Sequence, residues 1–326
     1  MNKSKCRIQL GWFEGTILLV VSGSSCRHIA EEMAEILNCE HHSLEARRFP
    51  DSEGYFRVPE SSINKIRSNT VILVSNTFPD SCIVETLMLL EAIIDVRQGN
   101  LADIRGKGID CEPIGPGIFL AIPYFGYSRQ DKRFNQGEAV SARAIGMLLS
   151  SKCDGITVLD LHAPEVLEKL PVKISFASSM SEIATYLQSE INPDFILSPD
   201  KGAIERASFV AETIGCKFSY LEKTRIDAHT IVHKAKDLDV NGAIVTIVDD
   251  MISTGGTICR ASEALREQGA KAVYAACSHG LFTGGAISKL DQFVDGIIAS
   301  DSLKNPRSVV SSASALCRGI NELIEK

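Results

Sequence analysis

Short apolar runs alternate along this chain with stretches whose apolar residues recur at helical spacing. The apolar runs are rich in β-branched residues and predict buried strands at 17–21, 71–75, 118–122, 156–159, 195–198, 244–248 and 272–276. Helical spacing is clear between them, for example in HIAEEMAEIL (28–37) and IVETLMLLEAIIDV (83–96). Strands that alternate with helices in this way predict an α/β fold of mainly parallel sheets with helices on both faces.

Two long stretches share one layout, which predicts two similar domains. Residues 118–170 run strand, polar loop, helix, strand, His162, helix, and residues 243–290 run in the same order with His279 in the corresponding place. A chain of 326 residues is long enough for two such domains. We predict a first domain at 1–170, a second at 171–307, and a C-terminal helix within 308–326 that packs back on the first. The Gly-rich stretch 97–117 is typical of a surface loop.

Composition narrows the class of partner. The formal net charge of -7 argues against a nucleic-acid partner, because contacts with phosphates need a basic face. Ten cysteines form no CxxC pair, which argues against a zinc site or a disulfide framework and favours a cytoplasmic protein. No segment has the length of a transmembrane helix, so no membrane partner is expected.

The stretch VDDMISTGGT (248–257) joins a predicted buried strand to a predicted helix and holds the clearest candidate chemistry. Asp249 and Asp250 come at the carboxyl end of the strand, where ligands of open α/β sheets lie. The turn that follows offers backbone N–H groups, hydroxyls and a helix N-terminus, a set of donors that binds anions. We call it the phosphate turn, and its residues are Ser253, Thr254, Gly255, Gly256 and Thr257. A sugar phosphate would suit both the turn and the acids, and the alternative is an ordinary helix start with surface acids.

The same stretch resembles the phosphoribosyl pyrophosphate motif of type I phosphoribosyltransferase folds, in the form typical of the ribose-phosphate pyrophosphokinase family. Five further stretches resemble elements of that family in the family's order and extend the resemblance over nearly the full chain. They are RRFPDSEGYFR (47–57), IPYFGYSRQDKRF (122–134), VLDLHAPE (158–165), LSPDKGAIERA (197–207) and LEKTRID (221–227). The resemblance implies two tandem phosphoribosyltransferase-like domains, each a mainly parallel sheet flanked by helices.

The resemblance also implies where ATP binds. The family's contacts with adenine and ribose fall on Phe49, Asp51 and Glu53, which would share one face if the segment were extended. Taken alone, this stretch would suit an edge strand with solvated acids, and Ser52 replaces the family's usual glycine. Further ATP contacts are expected from Arg129, which can pair with phosphates, and from Gln130, which can hydrogen-bond the nucleotide.

Metal and catalytic roles follow from the resemblance in the same way. His162 and Asp200 are expected to bind the Mg²⁺ of Mg-ATP, with Asp160 as a supporting acid, although a lone His after a strand is more often structural. Lys223 and Arg225 are expected to be catalytic and to close over the phosphates, and Arg225 also to hold the sugar phosphate. Attack of a ribose 1-hydroxyl on the β-phosphorus accumulates charge that such cations stabilise.

The implied reaction is ATP + ribose 5-phosphate → AMP + 5-phosphoribosyl 1-pyrophosphate, with Mg²⁺ as cofactor. A homo-oligomer is expected, with active sites between domains that use a neighbouring subunit. Two other classes stay open. A phosphoribosyltransferase that consumes the diphosphate would share the phosphate turn without needing a second α/β domain. A non-catalytic partner of the same fold should have lost residues such as His162 or Lys223, which are present. No pattern in the chain predicts the size of the oligomer, regulation by phosphate or ADP, the range of nucleotide donors or the role of residues 97–117.

Overall fold

The computed structural model describes residues 17–99, 115–225, 231–235 and 239–325 and contains two main sheets and one separate hairpin. The strands are β1 Leu18–Ser22, β2 Glu40–Ser43, β3 Glu45–Arg48, β4 Gly54–Arg57, β5 Thr70–Val74, β6 Ile118–Ile122, β7 Gly155–Leu159, β8 Lys173–Ala177, β9 Phe195–Ser198, β10 Lys217–Arg225, β11 Ile231–Ala235, β12 Ile244–Ile252, β13 Ala272–Gly280, β14 Gly296–Ser300 and β15 Ser308–Val310. The α-helices are α1 Arg27–Leu37, α2 Glu60–Ser68, α3 Asp80–Gln98, α4 Ser141–Ser150, α5 Met180–Glu190, α6 Ile204–Ile214, α7 Gly256–Glu267, α8 Ala286–Leu290 and α9 Ala313–Glu325. The predicted fold class is confirmed.

The first sheet has the order β2-β1-β5-β6-β7-β8, and its strands pair in parallel. Its four inner strands, β1, β5, β6 and β7, are largely apolar because both faces are covered. Leu19 and Val21 of β1 pack into a core with Leu89 of α3, whereas Val20 between them packs with Met33 of α1 and Leu316 of α9. Successive side chains of a strand point to opposite faces, so a continuous apolar run is needed to fill both cores.

The first sheet continues beyond residue 170, where the sequence analysis placed the domain boundary. The strand β8 pairs with β7, with Leu159 opposite Ala177. The strand β15 belongs to the second sheet, and only α9 returns to the first, where it packs against α1, β7 and β8. We therefore propose a division between β8 and α5, with α9 as part of the first domain.

The second sheet has the order β11-β10-β9-β12-β13-β14-β15, parallel except for the antiparallel pair of β10 and β11. The helices α7 and α8 cover one face, and α5 and α6 cover the other. The strands β12 and β13 continue four residues beyond the predicted ends, because Met251 and Ile252 still pair with His279 and Gly280. Asp249 and Asp250 therefore lie inside β12 and not after it.

Two further predictions concern segments outside the sheets. The strands β3 and β4 form an antiparallel hairpin of their own, with Glu45 opposite Arg57. Of the predicted loop 97–117, residues 97–98 close α3, and residues 100–114 lie outside the described residues. Among the helices that the structure describes, none is long and apolar enough to cross a membrane.

Candidate active site between the two sheets

A hydrogen bond joins the two domains where β7 and β12 end. His162 follows β7 by three residues, and its Nδ1 lies 2.6 Å from Oδ2 of Asp250 on β12. The His162 side chain is 44% exposed and the Asp250 side chain only 5%. Since Nδ1 is engaged, Nε2 is the ring nitrogen that a ligand entering the cleft would meet.

The two adjacent acids of β12 differ in what they can contact. Asp250 is buried, and while Oδ2 meets His162, Oδ1 accepts from the backbone N–H of Met251 at 2.9 Å. Both oxygens of Asp250 thus have partners inside the protein, and its expected contact with a sugar stays a prediction. Asp249 is partly exposed, and its Oδ1 accepts from the N–H of Asp250 at 2.9 Å. Asp249 is therefore the acid of this pair that a ligand can reach.

Three carboxylates, those of Asp200, Asp249 and Asp250, lie close enough for their charges to interact. Burial raises the pKa of Asp249, and the charges of Asp250 and Asp200 raise it further. Burial would also raise the pKa of Asp250, but the hydrogen bond with His162 and the positive charge of Arg206 outweigh it, so that pKa is lowered. The hydrogen bond to Asp250 in turn raises the pKa of His162. A bound cation would relieve the repulsion that holds Asp249 toward its protonated form.

The donor set suits Mg²⁺ that arrives together with a nucleotide. Asp200 supplies a carboxylate near Asp249, with Oδ1 fixed by the N–H of Gly202 at 2.9 Å. Within the described ranges, no three His, Cys, Asp or Glu side chains are grouped so that they could hold a metal ion by themselves. Mg²⁺ usually takes only one or two carboxylates and completes its shell with water and phosphate oxygens. The residues present therefore fit Mg²⁺ bound in part by substrate, and do not form a closed protein cage.

The phosphate turn leaves a helix N-terminus open to an anion. Gly255 precedes α7 with φ 70°, no side chain caps the helix, and no acidic residue lies in its first turn. The first N–H groups of a helix have no partner within the helix and carry the positive end of its dipole. The hydroxyls of Ser253 and Thr283 are 3.1 Å apart at the edge of the turn, and Thr254 is exposed. The arrangement can bind a phosphate group.

Two arginines near these groups were missed by the sequence analysis. Arg206 on α6 donates through Nη2 to the carbonyl of Leu161 at 2.9 Å, next to His162. Arg260 on α7 is exposed, and its Nη1 would lie 3.7 Å from a Cβ placed on Gly256. Because residues four apart share one face of a helix, the spacing of Gly256 and Arg260 was the signal available for the second arginine.

The loop that contains the candidate ATP contacts Arg129 and Gln130 starts at the carboxyl end of β6, next to β7. Asn76 holds the loop through its Oδ1, which accepts from the N–H of Tyr124 at 2.7 Å. Arg129 and Gln130 follow and are exposed, as a ligand-binding role requires. Ser141 Oγ donates to Oε1 of Gln130, which fixes that side chain. The loop therefore presents one cation and one amide beside the strand that leads to His162.

The predicted face shared by Phe49, Asp51 and Glu53 is not formed, because these residues make the turn between β3 and β4. The N–H of Phe49 donates to the carbonyl of Glu53 at 2.8 Å, and the N–H of Glu53 donates to Oδ1 of Asp51 at 3.0 Å. Ser52 adopts φ 75°, a left-handed conformation that glycine takes at lower cost. All three candidate residues are exposed at the tip of the hairpin. The side chains that could face a nucleotide there are therefore arranged by a turn and not by an extended strand.

An aromatic and cationic cluster lies on this hairpin. The guanidinium of Arg47 is 4.1 Å from the ring centre of Tyr55 and 5.1 Å from that of Phe49. The two rings meet edge to face at 5.7 Å. Such contacts hold the exposed ring of Phe49 in a defined orientation.

Lys223 and Arg225 lie on a strand and not on the loop expected from the sequence. Both belong to β10, where Lys223 pairs with His233 and Arg225 with Ile231 of β11. Residues 226–230, which continue the predicted catalytic segment, lie outside the described residues.

Two family models match the two halves of the chain. Residues 18–100 match the N-terminal domain of ribose phosphate pyrophosphokinase, and residues 167–305 match the phosphoribosyl transferase domain. The first match lies in the first sheet, and the second runs from the end of that sheet through β14. The matched order agrees with the order of the two sheets in the structure.

Similar proteins and a similar solved structure cover almost the whole chain. The ribose-phosphate pyrophosphokinase of Thermococcus kodakarensis is 36% identical over 302 residues, which are 91% of this chain and 98% of that protein. The ribose-phosphate pyrophosphokinase of Pyrococcus furiosus is 34% identical over 295 residues, 90% of this chain and 97% of that protein. The crystal structure of phosphoribosylpyrophosphate synthetase from Mycobacterium smegmatis superimposes with a TM-score of 0.77 at 25% identity, covering 95% of this chain and 99% of that chain.

Proposed function

The chain belongs to the ribose-phosphate pyrophosphokinase family, and on this premise we propose the roles of its residues in that reaction. The enzyme transfers the β,γ-diphosphate of ATP to the 1-hydroxyl of ribose 5-phosphate, giving 5-phosphoribosyl 1-pyrophosphate and AMP. The observation that carries the assignment of the site is the contact between His162 and Asp250, which brings the candidate ATP side and the candidate sugar side together at 2.6 Å.

The sugar phosphate binds on the second domain. Its 5-phosphate lies at the open N-terminus of α7, where the N–H groups of Gly256 and Thr257 and the guanidinium of Arg260 favour an anion. Asp249 accepts hydrogen bonds from ring hydroxyls, since it is the more accessible acid of β12. Arg225 of β10 also holds the sugar phosphate.

ATP binds between the first domain and a hairpin. Arg129 and Gln130 contact the phosphates and the nucleotide at the end of β6. Phe49, Asp51 and Glu53 contact adenine and ribose, and their exposure at a hairpin tip supports their use by the site of a neighbouring subunit. A homo-oligomer with shared active sites follows from this arrangement.

Charge stabilisation is the main task of the site. When bound, Mg²⁺ would neutralise the charge that develops on the transferred group. His162 and Asp200 would hold it on the protein side. Asp250 keeps the His162 ring in place, and Lys223 meets the transferred diphosphate as its charge grows.

A cytoplasmic location fits this chemistry. The eight cysteines of the described residues are free thiols. Burial raises the pKa of Cys26 and of Cys153 to about 12, so these two thiols stay protonated and behave as small apolar side chains.

The test is to incubate the protein with ATP, Mg²⁺ and ribose 5-phosphate, and to follow nucleotide and sugar products by chromatography. We expect AMP and a diphosphorylated pentose in equal amounts. A phosphoribosyltransferase would instead release diphosphate from 5-phosphoribosyl 1-pyrophosphate in the presence of a base. Release of ADP, or no turnover at all, would contradict the proposal.

A further inference from the structure

Consecutive residues of the first domain are each bound to a different element of the second. Oδ2 of Asp160 accepts from Ser278 Oγ on β13 at 2.6 Å. The carbonyl of Leu161 accepts from Nη2 of Arg206 on α6 at 2.9 Å. The third contact is that of the His162 ring with β12, described above. We call residues 160–162 the interdomain turn.

Asp160 is the most firmly held part of this turn. Its carboxylate is buried and accepts four hydrogen bonds, from Ser178 Oγ, from both the N–H and the Oγ of Ser179, and from Ser278. Its carbonyl lies 3.3 Å from Nε2 of His279. The residue adopts φ 39°, a left-handed conformation that is unfavourable for a side chain with a Cβ. Such a conformation persists only where the surroundings determine it, and here they come from both domains.

We propose that Asp160 and Arg206 are positioning residues that fix the interdomain turn, and thereby hold the His162 ring at Asp250 and the two domains in one relative orientation. The inference rests on the proposed function, because the position of the His162 ring matters for activity only if His162 helps to bind Mg-ATP. Asp160 is only 6% exposed, and its carboxylate is bound within the protein, so it acts through the turn and not on a substrate. Arg206 acts through the carbonyl of Leu161.

A fixed orientation of the two domains matters because, in the proposed function, ATP and ribose 5-phosphate are bound mainly by different domains. A displacement of about 1 Å between reacting groups can lower a rate by about a hundredfold. Two domains joined only by flexible surface contacts would not keep that precision. Hydrogen bonds from three elements to three successive residues leave the turn little freedom, because any rotation of one domain breaks several of them together.

The experiment compares three variants with the intact protein. Ser278→Ala removes one donor to Asp160, Arg206→Met removes the donor to Leu161, and Arg206→Lys restores one donor and the positive charge. Arg266→Met is the matched control, since Arg266 also lies on a helix of the second domain and donates to a backbone carbonyl, that of Lys271 at 3.0 Å. Hydrogen exchange of peptides covering 158–165 is measured without substrate, and steady-state kinetics are measured with ATP, Mg²⁺ and ribose 5-phosphate.

We expect faster exchange at 160–163 in Ser278→Ala and Arg206→Met, with unchanged exchange in β7, which ends at Leu159. The KM for Mg-ATP should rise and kcat should fall, together by about 10- to 100-fold, the range seen when groups that orient a metal ligand are removed. The KM for ribose 5-phosphate should stay within about twofold, because the phosphate turn is untouched. Arg206→Lys should recover part of both effects, and Arg266→Met should match the intact protein.

Two results would overturn the inference. Low activity of Arg206→Met with unchanged exchange would show that the guanidinium acts on the substrate and not through the turn. Faster exchange with normal kinetics would show that the turn does not set the geometry of His162. Should Arg206→Met fail to fold, Ser278→Ala decides alone, since it removes only one hydroxyl. If the intact protein formed no AMP, the proposed function would fail, whereas the exchange data would still show whether the turn is held by the second domain.

Discussion

Alanine at Gly255 and alanine at Gly256 should have different consequences, although the two glycines are neighbours in the phosphate turn. Gly255 adopts φ +70°, and a Cβ there would lie 2.8 Å from Cγ of Leu290, which is fully buried. Gly256 starts α7 with an ordinary φ, and a Cβ there would meet only Nη1 of Arg260 at 3.7 Å and Oγ1 of Thr254 at 3.9 Å. The first glycine is therefore required by the fold, and the second has room for a methyl group unless a ligand occupies that space.

The expected magnitudes follow from these contacts. Gly255→Ala should lower the free energy of unfolding by about 1–2 kcal/mol for the left-handed conformation, with a further cost from the contact with Leu290. Gly256→Ala should leave it unchanged or raise it by about 0.4–1 kcal/mol, because alanine restricts the unfolded chain. Alanine keeps the backbone N–H, but its methyl group would occupy space next to the bound phosphate and hold it away from a donor. Loss of one hydrogen bond to a charged phosphate costs about 1.5–3 kcal/mol, so Gly256→Ala should weaken ribose 5-phosphate binding by about 10- to 100-fold.

Urea unfolding and calorimetric titration with ribose 5-phosphate measure the two quantities separately. Gly215→Ala is the control for backbone strain, since Gly215 has φ +81° at the end of α6 with nothing within 4 Å of a Cβ. It should lose stability and keep normal sugar-phosphate affinity. If Gly256→Ala bound ribose 5-phosphate as tightly as the intact protein, the phosphate turn would not be the binding site for the 5-phosphate.

Three further predictions concern catalysis, assembly and pH. Lys223→Ala should lower kcat by about a hundredfold or more with little change in KM, whereas Arg225→Ala should raise the KM for ribose 5-phosphate; steady-state kinetics with near-normal kcat for Lys223→Ala would contradict the catalytic role. Inactive Asp51→Ala and Lys223→Ala chains should recover activity after subunit exchange if active sites are shared, and no recovery in confirmed mixed oligomers would count against sharing. Burial lowers the pKa of His279 below its ordinary 6.5, so the unfolded chain binds more protons there than the folded one, and stability should fall as pH drops through 6.5 toward the lower folded value. Urea unfolding at pH 7.5 and 5.5 should show a smaller loss for His279→Gln, and an equal loss would refute this reading.

Periodicity alone predicted most of the fold. The predicted strands at 118–122 and 195–198 coincide with β6 and β9, because buried parallel strands are continuous apolar runs with clear ends. Periodicity did not predict β8, because this strand contains Lys173 and Ser175 and carries little apolar signal. The sequence also did not predict that β12 continues through Asp249 and Asp250. Pairing with β13 keeps this segment extended, and its local composition does not indicate a strand.

The candidate site was predicted only in part. Motifs named His162, Asp200 and the phosphate turn as candidates, but no spacing in the chain relates His162 to Asp250, which lie 88 residues apart in sequence. Such a contact depends on how two domains are docked. The face that Phe49, Asp51 and Glu53 would share in an extended segment is not formed, because these residues make a tight turn. Ser52, with φ 75° in place of the family's glycine, was the available warning, and the contacts of the three residues with ATP stay a prediction.

Labelled ATP tests the central claim most directly. The protein is incubated with ribose 5-phosphate, Mg²⁺ and ATP carrying ³²P at either the α or the γ position, and the products are separated. A diphosphotransferase must leave the α label in AMP and carry the γ label onto the sugar, in equal molar amounts. Recovery of the α label in ADP, or of the γ label in free phosphate with no labelled pentose, would contradict the account.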